Sequence, residues 1–424
     1  MVRPSSDTAA IFIGRSPFPE VVDEAVLTAL AEASEPGPRL NAERVGCPVP
    51  RPGNRPACRH PGTGPVGSLA RVAPVGPCAA ARPGATPPCR LLVTGAAGFL
   101  GGMMVHRLLA GLPEVQSVVG VDLRPMAHPP TDPRFRFERA DLRRPDPGLL
   151  DGIDTVLHFA FHLKPSRDPG VDRALNVEAA VALLEHAGAA GAAQFVYPSS
   201  TTVYGARPGE AAPHPETDPL RPTPGFRYGE HKAEVERYLA TYAATHPALK
   251  VTVLRPCIVL GPGAVNFVAE LLAMKRLPVV AGADPEMQFL AADDLGSAGL
   301  AVVEQRAAGI FNLAGSGTIR WREAIRLCGS HPVPLPSRLL RSLADASWAL
   351  RLQHRSPSGG MELIRHPWLA DTRRARQVLG WEPRHPSRRV LELWADEERR
   401  CGAPAAPTRE SPLAGEATRP RETL

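Results

Sequence analysis

The stretch TGAAGFLG, residues 94–101, stands between a short apolar run at residues 90–94 and a helical pattern at residues 100–110. Glycines at this spacing allow a tight turn, close approach of the backbone to a phosphate, and close packing of the helix on the strand. The helix N-terminus adds N–H donors and a positive dipole. Because a strand precedes this turn and a helix follows it, we interpret it as a nucleotide-binding turn rather than a plain loop.

Apolar runs and helical patterns alternate from this turn to about residue 263, which predicts an α/β fold with a parallel sheet covered by helices. After that point the alternation fades, and a smaller, mostly helical unit is expected. The expected strands are Arg90–Thr94, Val115–Val121, Phe135–Phe137, Thr155–Phe159, Gln194–Tyr197 and Val251–Leu254. The expected helices are Leu100–Ala110, Asp172–Ala187 and Tyr228–Thr245.

The two ends of the 424-residue chain differ from this body in composition. Residues 48–88 contain 11 Pro and 6 Gly among 41 residues, a share typical of low-complexity sequence, and only a weak helical stretch at residues 20–33 precedes them. Residues 401–424 are rich in Ala, Pro, Glu and Arg without periodicity. We therefore expect residues 1–88 and 401–424 to be disordered.

Charge and cysteine usage exclude several classes of protein. The net charge is +6, but basic and acidic residues are interspersed, so a nucleic-acid partner is not expected. No apolar run reaches the roughly 18 residues of a membrane helix, and we expect a cytoplasmic protein with no membrane partner. The seven cysteines form no C-x-x-C pair, and Cys58 and His60 near Cys47 are read as a chance grouping, so no disulfide framework and no metal site are predicted.

Two carboxylates stand where a dinucleotide-binding sheet places them. Asp122 ends the second run, 27 residues beyond Gly95, near the usual position of the acid that accepts from the adenosine ribose hydroxyls. This favours NAD, although Arg124 could instead hold the 2′-phosphate of NADP. Asp141 and Leu142, which close the third run, would lie beside the adenine ring, with a strand-end cap as the alternative.

The pair Tyr228 and Lys232 carries the chemistry. At a spacing of four residues on a helix, both side chains lie on one face. An ammonium about 4 Å from the phenol would favour phenolate by roughly 4 kcal/mol at an effective dielectric near 20, which would make the tyrosine a usable acid/base. Tyr-x-x-x-Lys is rare by chance in a chain with five tyrosines and four lysines. Upstream, Ser199 and Ser200 follow a strand at the sheet edge where such folds bind ligands, and one hydroxyl there could bond the reacting oxygen.

A set of short motifs between about residues 90 and 395 occurs in the order found in one family. The motifs are the turn at Gly95, His158-Phe159-Ala160, Leu175-Asn176-Val177, Ser199-Ser200, Tyr228 with Lys232, Arg255-Pro256, Gly261-Pro262-Gly263, Phe289 to Asp294, Phe311-Asn312-Leu313-Ala314 and Leu379-Gly380-Trp381. In this order they resemble the extended short-chain dehydrogenase/reductases, in the NAD-dependent epimerase/dehydratase group.

The resemblance implies a Rossmann-type doubly wound parallel sheet that binds NAD, and a smaller, mostly helical C-terminal domain that closes over a small-molecule substrate, often a nucleotide-sugar. Residues 89–262 and 285–315 would form the NAD-binding domain. Residues 263–284 and 316–400 would form the substrate domain. Family members commonly pair helices into a dimer interface, so a homodimer is expected.

The resemblance also implies roles for individual residues. Tyr228 would be the acid/base, Lys232 would lower its pKa and hold the nicotinamide ribose, and Ser200 would orient the reacting oxygen. The implied cofactor-binding residues are Gly95, Gly98, Phe99, Leu100, Gly101, Asp122, Asp141, Leu142, Phe159, Ala160, Asn176, Ser199, Tyr228, Lys232 and Pro256. The chain departs from the family pattern at Phe161-His162, where small residues are usual, and in an Arg-rich helix at residues 336–355.

Two alternatives concern what the site does. A non-catalytic dinucleotide sensor is the rival to an enzyme, but sensors typically lose the Tyr/Lys pair. Among enzymes, the related dehydratases carry an Asp-Glu pair after the catalytic hydroxyl residue, where this chain has Thr201 and Thr202. A threonine before Val-Tyr-Gly resembles the 4-epimerases. The sequence thus favours an epimerase or a dehydrogenase/reductase.

Removing residues 1–88 should leave folding and cofactor affinity nearly unchanged, because that composition cannot bury enough apolar surface to offset its ordering entropy. Yield of soluble protein and the Kd for NAD, measured on the truncated and full chains, check this. Loss of soluble protein on truncation would contradict it.

Overall fold

The computed structural model describes residues 90–144, 146–210, 212–352 and 358–401. The weak helical stretch at residues 20–33, the Pro/Gly-rich segment and the C-terminal tail beyond residue 401 lie outside the described residues. None of the helices in the described part combines the length and the apolar character needed to cross a bilayer.

A seven-stranded parallel sheet forms the centre, with strand order β11-β6-β5-β4-β1-β2-β3. Its strands are β1 (Arg90–Thr94), β2 (Ser117–Asp122), β3 (Phe135–Arg139), β4 (Thr155–His158), β5 (Gln194–Pro198), β6 (Lys250–Pro256) and β11 (Gly309–Leu313). The chain reverses its direction of winding between β1 and β4. In open α/β sheets ligands bind at such a reversal, outside the carboxyl ends of the strands.

Helices cover both faces of this sheet. One face packs on α1 (Phe99–Gly111), α6 (Ala292–Glu304) and α9 (Arg373–Leu379). The other packs on α3 (Ala179–Ala189) and α4 (Arg227–Thr245). The predicted α/β fold class, a doubly wound parallel sheet, is therefore confirmed.

Helix α3 does not begin on its own. A short helix α2 (Pro169–Arg173) runs into one π-helical turn (Ala174–Glu178), and α3 continues from it. The side chain of Asp168 caps the start of α2 by accepting from Gly170 N at 2.8 Å. The sequence pattern predicted one continuous helix here, and the π turn inside it was not foreseen.

A third apolar core lies beyond the carboxyl edge of the sheet, built largely from the C-terminal part of the chain. It contains residues of helices α5 (Phe267–Leu272), α7 (Trp321–Leu327) and α10 (Ser387–Cys401), whereas α8 (Ser337–Ala349) contributes none. Three two-stranded sheets accompany them: β7 (Ile258–Leu260) with β10 (Phe289–Ala291), β8 (Arg276–Val280) with β13 (His331–Leu335), and β9 (Glu286–Met287) with β12 (Ile319–Arg320).

Two strands of this C-terminal part were not among the strands expected from the sequence. Strand β11 returns to the central sheet and pairs with β6. Strand β13 contains Pro332 and Pro334, which argue against a strand in sequence because proline cannot donate to the ladder. It forms because it pairs on one side only, with β8, so the missing donors are tolerated at an edge.

A buried polar network joins the carboxyl edge of the sheet to the helices around it. The Arg255 guanidinium, on β6, donates to both carboxylate oxygens of Glu236, on α4, with the shortest contact at 2.6 Å. Arg255 also donates to the Tyr204 hydroxyl at 2.7 Å, and that hydroxyl donates to Asn312 on β11 at 2.8 Å. The Ser199 hydroxyl, at the end of β5, donates to Glu236. This network fixes the positions of β5, β6, β11 and α4 relative to one another.

Candidate active site

The glycine-rich turn brings β1, α1 and β4 into close backbone contact. Gly95 has a φ of 69°, and a Cβ placed on it would lie 2.6 Å from Ala160 N. A Cβ on Gly101 would lie 2.1 Å from the carbonyl oxygen of Gly95. These contacts forbid side chains at both positions, and the bare backbone leaves the cradle at the N-terminus of α1 that a pyrophosphate requires. The residues present therefore fit a dinucleotide.

Asp122 ends β2 next to this cradle, as predicted. Its carboxylate accepts from Ala97 N in the glycine-rich turn at 3.1 Å and from Arg124 N at 3.0 Å. Both bonds come from the backbone, so the carboxylate is fixed in place while oxygen lone pairs remain for ribose hydroxyls.

Asp141 and Leu142 follow β3 at the same edge of the sheet. Asp141 accepts from the Arg143 guanidinium at 2.6 Å, and this hydrogen bond holds the pKa of Asp141 below its ordinary value. Leu142 is buried against the core of the α3 and α4 face. The positions expected beside an adenine ring are thus occupied by an ion-paired carboxylate and an apolar side chain.

The end of β4 is tied to the end of β1. Thr94 carbonyl O accepts from Phe159 N, and Thr94 Oγ1 accepts from Ala160 N, both at 3.2 Å. The Thr94 hydroxyl and His158 Nδ1 share a hydrogen bond of 2.8 Å. Burial lowers the pKa of His158 to about 3, so this imidazole is neutral near pH 7 and acts as a structural partner.

Tyr228 lies in the first turn of α4, with its hydroxyl close enough to Ser200 for that side chain to act on its pKa. Ser200 caps the 3-10 turn after β5, where its Oγ accepts from Thr202 N at 3.2 Å. Two elements that are distant in sequence thus bring the predicted acid/base and the predicted orienting hydroxyl together. Burial raises the pKa of Tyr228 to about 12, and the hydrogen bond from Ser200 partly opposes this rise.

Lys232, one turn further along α4, is held by three groups. Its Nζ donates to Pro198 O at 2.6 Å, and it lies 4.2 Å from the centre of the Phe161 ring and 4.5 Å from that of Tyr197. The residue is 5% exposed. Burial lowers the pKa of Lys232 to about 7, although the nearby charge of Glu236 opposes the shift.

The expected lowering of the Tyr228 pKa by Lys232 is wrong, because burial raises that pKa instead. The lysine nitrogen lies 6.0 Å from the centre of the Tyr228 ring and is engaged by Pro198 O. Because the lysine is itself desolvated, its charge near neutral pH is incomplete. Burial of the phenol therefore dominates, and burial favours its neutral form.

The remaining predicted residues lie around this centre. Asn176, in the π-helical turn, accepts from His162 N at 2.6 Å and donates to His162 O at 3.1 Å, which fixes the loop after β4. Pro256 ends β6, and its carbonyl faces the Thr201 hydroxyl at 3.4 Å. Phe99 and Leu100 begin α1 and pack against the core of that face of the sheet.

Two residues that the sequence reasoning did not single out for the site belong to it. Glu236 lies one turn beyond Lys232, and its spacing of four residues placed it on the same helix face, so the pattern could have revealed it. Phe161 contacts both Tyr228, with ring centres 5.1 Å apart, and Lys232. The sequence showed Phe161 only as an unusual residue, because its contacts depend on the path of the loop after β4.

Comparisons with known proteins agree with this geometry. The NAD dependent epimerase/dehydratase family matches residues 91–314. An uncharacterized protein of Mycobacterium tuberculosis is 30% identical over 304 residues, which cover 68% of this chain and 78% of that protein. The UDP-glucose 4-epimerase of Mycolicibacterium smegmatis is 31% identical over 310 residues, covering 68% of this chain and 91% of that enzyme.

Among solved structures, MoeE5 in complex with UDP-glucuronic acid and NAD has a TM-score of 0.58 and 26% sequence identity, with 74% of this chain and 99% of MoeE5 covered. The family match spans more than half of the chain and contains the glycine-rich turn, the serines after β5 and the Tyr/Lys pair on α4. The chain is a member of the NAD-dependent epimerase/dehydratase family of extended short-chain dehydrogenase/reductases.

Proposed function

We propose that the protein is an NAD-dependent oxidoreductase or epimerase that acts on a hydroxyl or ketone of a nucleotide-sugar-like substrate. The observation that carries the proposal is the position of Tyr228 in the first turn of α4, one helical turn from Lys232 and close enough to Ser200 for that hydroxyl to act on its pKa. Similarity to a UDP-glucose 4-epimerase and to MoeE5, which was solved with a UDP-sugar acid and NAD, supports the substrate class.

The cofactor would be held by residues along the carboxyl edge of the sheet. The turn at residues 95–101 would bind the pyrophosphate, Asp122 the adenosine ribose, and Lys232 the nicotinamide ribose. Bound NAD supplies a hydride acceptor or donor for the substrate carbon. Lys232 can take this role only if its amine turns from Pro198 O or shares that bond, since the amine donates there at 2.6 Å.

The proton is moved by this chain's own residues. Tyr228, with a pKa of about 12, is protonated near pH 7 and can donate to a substrate ketone that gains hydride. In the reverse direction the phenolate that this donation leaves behind accepts the proton of a substrate hydroxyl. Ser200, whose side chain lies near the tyrosine hydroxyl, positions that substrate hydroxyl. Holding the reacting oxygen between two fixed hydroxyls supplies orientation as well as proton transfer.

Replacement Tyr228→Phe should lower turnover by more than about 10²-fold while leaving the Kd for NAD unchanged, because it removes only the proton-transfer group. Lys232→Ala should both lower turnover and raise the Kd for NAD. Nucleotide-sugars, hydroxy-lipids and sterols are screened first by the absorbance change of the bound cofactor. Tyr238→Phe, on the same helix and bonded to Glu185, is the matched control.

Retention of more than about a hundredth of wild-type turnover by the Tyr228→Phe variant would contradict its role as acid/base. Tight NAD binding by the wild type, with neither net cofactor reduction or oxidation nor an epimerised product from any substrate class, would favour the sensor instead.

The buried Lys232 should make folding stability depend on pH. Below about pH 7 both the folded and the unfolded chain carry the ammonium, and folding bears the full cost of burying it. Between about pH 7 and the ordinary value of 10.5 the unfolded chain binds more protons, so the contribution of this group to stability rises with pH.

Lys232→Met should therefore stabilise the protein at pH 7 by about 1–3 kcal/mol and flatten the rise in stability between pH 7 and 10. Urea unfolding at each pH measures the free energy of unfolding. Lys250→Met, at an exposed position on β6, is the control and should change neither quantity. An equal or lower stability of the Lys232→Met variant at pH 7 would refute the prediction.

Asp122→Ala should narrow the preference for NAD over NADP, because the carboxylate both accepts from a ribose hydroxyl and repels a 2′-phosphate. The ratio of the two Kd values, measured by calorimetry, checks this. Arg124→Ala is the companion variant and should weaken the binding of NADP without changing that of NAD. Equal affinity of the wild type for both cofactors would reject the role of Asp122 and favour Arg124.

We expect no dehydration of the substrate. The two positions after Ser200 hold Thr201 and Thr202, whose hydroxyls are neither acidic nor basic enough near pH 7 to protonate a leaving hydroxyl or remove an α-proton. Glu236, the buried carboxylate closest in sequence to Lys232, is committed to Arg255 and Ser199. Mass spectrometry after incubation with NAD and nucleoside-diphosphate hexoses should find no product lighter by one water. Such a product at catalytic rates would overturn this assignment.

A further inference from the structure

The aromatic ring of Phe161, in the loop after β4, contacts both members of the Tyr228 and Lys232 pair. Its centre lies 5.1 Å from the centre of the Tyr228 ring, with the two planes at 72°, which is an edge-to-face arrangement. Lys232 Nζ lies over the same ring, 4.2 Å from its centre. A cation at this distance is attracted by the negative face of the ring. Two directional contacts therefore join this ring to the proposed acid/base and to its amine.

The backbone on both sides of Phe161 is held by hydrogen bonds. Ala160 N donates to Thr94 Oγ1 at 3.2 Å. On the other side, His162 N donates to Asn176 Oδ1 at 2.6 Å, and His162 O accepts from Asn176 Nδ2 at 3.1 Å. These bonds tie the peptide units before and after Phe161 to β1 and to the π-helical turn. The ring thus projects from a fixed stretch of backbone.

The amine of Lys232 lies between two aromatic rings. The second ring belongs to Tyr197, on β5, and its centre is 4.5 Å from Nζ. The amine also donates to Pro198 O at 2.6 Å. Glu236, whose charge favours the ammonium, is itself bound by the Arg255 guanidinium on β6. Aromatic faces therefore stand where an ammonium in solution has water.

Within the described part of the chain, the titratable groups that face this amine come from three elements. They are Glu236 and Tyr228 on α4, Tyr197 on β5 and His158 at the end of β4. Burial lowers the pKa of His158 to about 3 and raises the pKa of both phenols, so these three groups are neutral near pH 7. A change in the titration of Lys232 when Phe161 is replaced therefore reports the effect of the Phe161 ring.

We propose that Phe161 is a positioning residue, whose ring holds the Lys232 amine in place beside Tyr228 and offers the ammonium an aromatic face instead of water. The family pattern has small residues at this position, and a small residue cannot make either contact. The inference rests on the proposed function, because the two groups that the ring positions are the proposed acid/base and its amine.

Three replacements separate an aromatic face from burial alone. Phe161→Leu keeps an apolar cover but removes the ring, so the ammonium loses its attraction and the pKa of Lys232 should fall by roughly one pH unit. Phe161→Ala opens the amine to water, so the pKa of Lys232 should rise from about 7 toward 10.5. Phe161→Tyr keeps the ring and should retain the wild-type pKa.

Nuclear magnetic resonance of lysine labelled with carbon-13 at Cε measures this pKa without any substrate. The chain has four lysines, so few signals appear, and the Lys232→Met variant identifies the signal of Lys232. Phe137→Leu makes the same replacement at a partly buried ring on the edge strand β3 and is the matched control. It should leave the titration of Lys232 unchanged.

Turnover of the substrate that the cofactor-absorbance screen identifies is the second readout. Phe161→Leu should lower kcat by about tenfold, since a displacement of about 1 Å in a catalytic group can cost more than that. KM should change less, because the ring is assigned to the amine and the phenol rather than to the substrate. Phe161→Tyr should keep kcat close to the wild-type value.

A Lys232 pKa that rises in both Phe161→Leu and Phe161→Ala would show that Phe161 acts by excluding water, and it would overturn the inference. An unchanged Lys232 titration in both variants, or wild-type kcat in Phe161→Leu, would overturn it as well. The proposed function is judged separately. If Tyr228→Phe stays active while Phe161→Leu lowers the pKa of Lys232, the proton-transfer role fails and the contact between Phe161 and Lys232 stands.

Discussion

The ion pair between Glu236 and Arg255 is the interaction on which the rest of the site depends. Both side chains are 2% exposed, and the guanidinium binds the carboxylate through two nitrogens. Removing one partner of such a buried pair costs about 3–5 kcal/mol, because the other charge is left without compensation in a medium that solvates it poorly. Glu236 stands one turn from Lys232, and Arg255 stands on the neighbouring strand to Ser199. The pair therefore sets the distance between the helix that carries Tyr228 and the strand end that carries the serines.

The site also shows a conflict between stability and chemistry. Lys232 is enclosed by Phe161, Tyr197 and Pro198 O and loses its hydration, which lowers the stability of the fold. This loss occurs at the position where the proposed chemistry requires an amine. Glu236 reduces the cost, because its negative charge favours the ammonium. The same carboxylate is shared with Arg255, so it cannot compensate Lys232 fully. Such polar groups, retained at the expense of stability, are common at functional sites.

Local patterns were sufficient to predict the glycine-rich turn, the central strands to within two residues at each end, and the Tyr228 and Lys232 pair, because each depends on neighbours within one turn or one strand. The direction of the Tyr228 pKa shift could not be predicted, since it depends on how deeply the tertiary fold buries the phenol. The stacking of Arg167 on Trp348 was equally inaccessible, because it joins the loop after β4 to a helix 181 residues further along the chain. Strand β11 was missed as a strand although its residues were recognised as a family motif, since a short apolar run does not reveal where it pairs.

The π-helical turn at Ala174–Glu178 determines how this region tolerates changes in length. A π turn holds one residue more than the α-helical turn it replaces, and one residue corresponds to a rotation of about 100° around the helix axis. Deleting a single residue here would give a more regular helix. It would also rotate the part of the helix that carries Asp172 relative to the part that carries Leu183. Asp172 would then lose its ion pair with Arg227, and Asn176 would lose its hydrogen bond to the backbone of His162. Relatives that lack this turn would need a different anchor for the loop after β4. An alignment of this helix therefore separates chains that anchor the loop through Asp172 and Asn176 from chains that do not.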